Sequence, residues 1–173
     1  MDTHLFHKLL LKTAFCCLAS NGNVDFRKTY IVKKLYENSL LFKGFNFNDE
    51  LNSLYLELNM LEKKFIDFYL NLLSSSILTE KEEIIIIDIA INIIKADEYV
   101  NYSKIKFFKK IRQRLKLSDE KILEEFSDIE QFIEEDNINE SLLDEISNQF
   151  FENNQRPQYQ ILPIIKIGFP VEE

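Results

Sequence analysis

Two histidines and two cysteines are the side chains of this chain whose chemistry most often makes nucleophiles, bases or soft metal ligands. His4 and His7 stand three apart, a spacing that places both rings on one face of a helix. Two ligands alone do not complete a metal site. Cys16 and Cys17 are adjacent on an apolar segment, cannot easily bridge each other, and have no second pair with which to build a tetrahedral centre. They are expected to be reduced core residues, as in a cytoplasmic protein. With the histidines near the amino terminus and the cysteines in apolar surroundings, neither a Cys–His nor a Ser–His–Asp constellation can be assembled. Among 29 Asp and Glu nothing selects a hydrolytic pair. The expectation is a protein that is not an enzyme.

Charge offers binding chemistry instead. Residues 101–116 hold seven basic side chains and no acidic one: Lys104, Lys106, Lys109, Lys110, Arg112, Arg114 and Lys116. Lys106, Lys109, Lys110 and Arg114 could touch phosphates, but a net charge of -8 repels a polyanion. The expectation is a solvated helix face paired with acidic neighbours, with Phe107, Phe108 and Ile111 turned inward, and no nucleic-acid binding. From Asp119 to Glu145 the only basic residue is Lys121, and the acids alternate with apolar residues such as Ile122, Phe126, Ile129 and Phe132. Such an amphipathic acidic face suits a basic protein partner, with Glu124, Glu125, Asp128, Glu134 and Glu135 as the contacting groups. Asp88 and Asp97 are nine apart, too far along a helix to share one ligand cluster without other elements. Asp97 and Glu98 suit either a cation or a helix cap, and their surroundings lack the alternating oxygens of an EF-hand loop.

The elements that must position these groups read as helices. Hydrophobic residues make up 46% of 173 positions, with only 3 Gly and 3 Pro, too few for the many turns of a barrel or sandwich. Apolar residues recur at helical spacing over residues 3–20, 26–40, 49–74 in one or two pieces, 79–96, 102–116, 118–126, 128–135 and 139–152. Thr79 with Glu82 has capping-box spacing, and Ser118 before Asp119 and Glu120 reads as another helix start. The run Ile84–Ile87 is β-branched, yet the Thr79 cap and the continuation through Ala90 and Ile94 favour a helix over a buried strand. The most apolar stretch, Ile84 to Ile94, is too short and too interrupted to span a bilayer, so no membrane insertion is expected. The amino terminus lacks the basic region and cleavage site of a secretory leader. The fold class expected is all-α, a compact helical bundle over residues 1–154. Residues 155–173, punctuated by Pro157, Pro163 and Pro170, form an extended apolar tail.

Sliding the chain on itself until Ala14 meets Ala90 also aligns Asn21 with Asp97, Val24 with Val100, Phe26 with Tyr102, Lys28 with Lys104, Lys33-Lys34 with Lys109-Lys110, and Leu35 with Ile111. Each copy reads as an apolar helix, a short polar turn, one buried Val and a second amphipathic helix, capped by Asp25 or Asn101. The two turns, Leu18-Ala19-Ser20-Asn21-Gly22-Asn23-Val24-Asp25 and Ile94-Lys95-Ala96-Asp97-Glu98-Tyr99-Val100-Asn101, resemble those of the tellurite-resistance TerB-like family. In that family an Ala-Asp-Gly-x-Val turn, followed by an early Glu in the next helix, occurs twice in a compact helical domain.

The resemblance covers residues 5–117. It implies a cytoplasmic, non-catalytic module of stress response or phage defence, whose acidic turns hold a divalent cation such as calcium or magnesium. Carried onto this chain, the cation site falls on Asn21, Asp25, Asp97 and Glu98. Here the family Asp is Asn21 in the first copy, its Gly is Glu98 in the second, and the following Glu falls on Lys28 and Lys104. Exchanging a ligand carboxylate for an ammonium removes an oxygen and adds repulsion, so a weak or lost cation site is expected. The competing expectation is an immunity or inhibitor protein whose acidic helical face covers a basic toxin.

Overall fold

A computed structural model of the chain describes residues 2–20, 29–38, 45–61, 64–96, 102–126 and 129–133. These residues fold into helices and contain no strand. The elements are α1 Thr3–Ala19, α2 Thr29–Asn38, α3 Phe47–Leu61, α4 Phe65–Ser75, α5 Glu80–Ala96, α6 Tyr102–Arg112, α7 Asp119–Glu125 and the single turn α8 Glu130–Ile133. The expected all-α class holds, as does the division of the third segment into two helices. The expected helix over 139–152, the tail over 155–173 and the caps Asp25 and Asn101 lie outside the described residues.

The bundle is built around α1, which packs chiefly on α5 and also meets α2, α3, α4 and α6. From Leu9 to Ala19 every residue of α1 is buried, because its sequence is apolar all round rather than on one stripe. Asp2 starts the helix, its carboxylate accepting from the amides of His4 and Leu5 at 3.0 and 3.2 Å. The one hydroxyl in that buried stretch, Thr13, donates to the Leu9 carbonyl and accepts from the Tyr69 hydroxyl at 3.0 Å. Burying it therefore leaves no lost hydrogen bond.

Helix α5 begins with the expected reciprocal cap. The Thr79 amide donates to Glu82 Oε2 at 2.8 Å and the Glu82 amide donates to Thr79 Oγ1 at 3.3 Å. Its β-branched run is helical, and Ile86, Ile87, Ile89, Ile91, Ile93 and Ile94 are all buried. Tertiary packing against α1 outweighs the modest helix penalty of the isoleucines. The internal repeat of the sequence has a structural counterpart. Leu10 and Ile86, Ala14 and Ala90, Cys17 and Ile93, and Leu18 and Ile94 are buried at equivalent positions of α1 and α5.

Helix α6 ends at Arg112, short of the expected end at Lys116. The amides of Arg114 and Leu115 bond to carbonyls three residues back, tightening the last turn. The next two amides, of Lys116 and Leu117, are taken by the buried Glu83 carboxylate at 2.9 and 2.7 Å. Glu83, one turn into α5, thus satisfies backbone donors and turns the chain toward α7. Ser118 caps α7 by accepting from the Lys121 amide. Among the described residues no helix is long and apolar enough to cross a membrane.

Candidate functional site

The four residues expected to hold a cation, Asn21, Asp25, Asp97 and Glu98, lie outside the described residues, as does Lys28. Lys104, at the position where the TerB-like resemblance expects a glutamate in the second copy, is described. It is 1% exposed, and its charge reaches the Cys17 thiol near the carboxyl end of α1. The Lys104 side chain therefore sits inside the bundle. Burial pushes the Cys17 thiol far up, and Lys104 opposes that shift only in part. Cys16 is likewise pushed up, by burial first and by Cys17 next. Both thiols are free and buried, so neither presents a thiolate at neutral pH.

The basic helix departs from the expected solvated face. Phe107, Phe108 and Ile111 do point inward, fully buried, but Lys109 and Lys110 are only 5% and 3% exposed. The reason is that α6 is covered on several sides, by α1, α4, α5 and α8, with Phe132 packed edge-on against Phe108 at 5.3 Å. Long aliphatic stems allow lysines to be enclosed in this way. Neutralisation between the basic helix and its acidic neighbour, the other half of that expectation, is present where Arg112 pairs with Asp119, while Lys121 of α7 pairs with Glu80 of α5 at 3.6 Å.

A charged ladder along the central helix goes beyond the sequence-based expectations. Lys8 and Lys12, one turn apart on α1, meet Glu50 and Glu57, two turns apart on α3, at 3.2 and 2.6 Å. Lys12 reaches both Glu57 oxygens and lies over the Phe65 and Phe68 rings at 5.9 and 5.2 Å. The available signal is a lysine interrupting an apolar helix together with acids seven apart on the next-but-one helix. Taken alone, Lys12 reads only as an interruption of the apolar period.

Of the acidic partner face, Glu124 and Glu125 are exposed on α7, with Lys121 3.8 Å from Glu124. Asp128, Glu134 and Glu135 lie outside the described residues. Asp88 is on the outer face of α5, accepting from the Asn92 amide group at 2.9 Å, and partial burial holds its carboxyl above the usual range. Among the described residues no three His, Cys, Asp or Glu converge as a metal cluster.

Two clefts lie among the described residues. One, of about 430 Å³, lies between α2 and the start of α3 and is lined by Lys33, Tyr36, Glu37, Phe45, Phe47 and neighbouring asparagines. The other, of about 380 Å³, lies beside Glu83, between the start of α5 and the α6–α7 connection. Neither gathers a nucleophile with a base. No family model, no curated protein and no solved structure matches this chain.

Proposed function

We propose that the chain is a non-enzymatic, TerB-like helical module that acts by binding a protein partner in bacterial stress response or phage defence. The observation that carries this reading is the doubled hairpin. Helices α1 and α5, the leading helices of the two sequence repeats, bury equivalent positions against each other and make one core. Each polar turn follows the carboxyl end of one of these two helices. Lys104 supports the view that any divalent-cation site in these turns is weak or lost, because at the position where the TerB-like pattern carries a glutamate it supplies no ligand oxygen.

A second reading, an immunity or inhibitor protein that covers a basic toxin, rests on the exposed acids of α7. Glu124 and the neighbouring Glu80 are both largely solvent-exposed, at 69% and 63% of their side chains. The two readings separate by charge reversal. Full-length protein and a Glu124→Lys/Glu125→Lys variant would be used as bait in extracts of the source cells, at about 0.05 and about 0.5 M salt. The scaffold reading expects the same partner with both baits and at both salt levels. Loss of the partner in the variant and at high salt would favour the inhibitor reading, and release of product from a captured small substrate would overturn both.

A further inference from the structure

We infer that Glu83 is a stop that sets where α6 ends, and that removing it lets α6 run on through Leu117 and swings the acidic helix α7 off the bundle. The segment that follows α6, Gln113-Arg114-Leu115-Lys116-Leu117, contains no Gly, Pro or β-branched residue. Leu, Arg, Lys and Gln all rank near the top of the helix-propensity scale. The Gln113 amide still bonds to a carbonyl four residues back, that of Lys109, whereas the amides of Arg114 and Leu115 tighten to three. The chain thus leaves the helix where its own propensity favours going on. Such a conflict between local preference and fold is settled by the group that overrules the local preference.

Glu83 is that group, and the choice it makes is exclusive. In a continued helix the amides of Lys116 and Leu117 would donate to the carbonyls of Arg112 and Gln113. In the structure both donate to one oxygen, Oε2 of Glu83, at 2.9 and 2.7 Å. The Glu83 side chain is 5% exposed and stands in the first turn of α5, so its position is fixed by the core. Hydrogen bonds to a carboxylate are also stronger than those to a peptide carbonyl. With α6 stopped, Leu117 turns inward, Ser118 caps α7, Arg112 pairs with Asp119, and Lys121 reaches Glu80 at 3.6 Å. Within α7 the buried side chain is Ile122, so this helix stays docked only while the corner before it keeps its shape. Each residue added to α6 would turn the chain by about 100° around the helix axis and redirect it at Ser118, taking Glu124 and Glu125 with it. It would also unmake the cleft of about 380 Å³ that Glu83, Lys116 and Ser118 wall.

The experiment is NMR on the full chain, with Cα chemical shifts read at residues 115–117 and amide hydrogen exchange at residues 122–125, for the native protein, Glu83→Ala and Glu83→Gln. The native chain is expected to show non-helical shifts at 115–117. Glu83→Ala is expected to turn them helical and to lower the protection of α7 about tenfold or more, with the core of α1 unchanged. Glu83→Gln keeps an acceptor oxygen and is expected to hold the native shifts. Residues 115–117 that stay non-helical in Glu83→Ala, whether ordered as before or moved to coil values, would overturn the inference, because Glu83 would then be a tether and not a stop. Helical shifts at 115–117 in the native chain would overturn it as well. If Glu83→Ala does not fold, Glu83→Leu, which fills the space of the carboxylate without an acceptor, is read in the same way.

Discussion

The hairpins α1–α2 and α5–α6 carry the same Lys-Lys pair at equivalent positions and treat it in opposite ways. On α2 the Lys33 side chain is 45% exposed, pairing with Glu37, and Lys34 lies over the Tyr30 ring at the surface. On α6 the equivalent Lys109 and Lys110 are enclosed. The difference comes from what lies on top: α8 packs on α6 through Phe108 and Phe132. The contrast inverts in the leading helices, where Lys12 of α1 is buried in an ion pair while Asp88, its equivalent on α5, faces solvent. A duplicated unit thus keeps its apolar register and lets its charged positions diverge with their surroundings. Apolar register is set by the shared core, and each charge by its own neighbours.

The sharpest way to break this comparison is to remove the covering contact. Phe108→Ala should cost about 3–5 kcal/mol in denaturant unfolding, whereas Val32→Ala, its counterpart on the less covered α2, should cost about 1–2 kcal/mol. Equal losses would mean that neither the larger Phe108 ring nor its contact with Phe132 adds to the stability of α6. The inverted pair comes next. Lys12→Ala strands Glu57 and leaves the Phe65 and Phe68 faces without their cation, an expected loss of about 3 kcal/mol. Asp88→Asn should be neutral to slightly stabilising. Because the Asp88 carboxyl is held above its usual range, its ionised form weakens the fold as pH rises through that raised value, and the benefit of the substitution should appear there.

The lysine pairs themselves give a smaller contrast. Lys110→Ala is expected to cost about 1–2 kcal/mol through lost packing of its stem, with Lys110→Met restoring most of it, while Lys34→Ala should stay within about 0.5 kcal/mol. A neutral Lys110→Ala would show that its enclosure contributes nothing. The smallest effect is at the cap of α5. Thr79→Ala should lower stability by about 1 kcal/mol. The Thr79 amide holds the Glu82 carboxyl below its usual range, so that part of the cap is present above the ordinary carboxylate pKa and is lost as pH falls through the lowered value. In a series of melts the gap between Glu82→Ala, which removes the carboxylate, and the native chain should therefore narrow in acid.

Much of this arrangement was legible in the sequence because it depends on local chemistry. The Thr79–Glu82 box, the Ser118 cap and the apolar period of α1 and α5 each act within a turn or two of themselves. The early end of α6 was not legible, because it depends on Glu83, 33 residues before the Lys116 amide that it captures. The burial of Lys109 and Lys110 is hidden for a related reason. A basic, amphipathic pattern reads as a solvated face unless the helices that will cover it are known. The Lys8–Glu50 and Lys12–Glu57 ladder joins segments distant in sequence, and only the packing of α1 on α3 pairs those positions.

The proposed scaffold role of the doubled hairpin goes with a buried lysine, Lys104, at the position where the TerB-like pattern has an acid. It is tested most directly by thermal unfolding of the full chain in chelator, then in calcium, magnesium and manganese, alongside Lys104→Gln and Asp97→Ala. The account predicts no metal-specific rise in Tm for the native chain and an unchanged profile for Asp97→Ala. A cation present at 100 times its Kd would add about 2.7 kcal/mol, a rise readily seen. Such a rise in the native chain, abolished by Asp97→Ala, would contradict the account and make the turns a working metal centre.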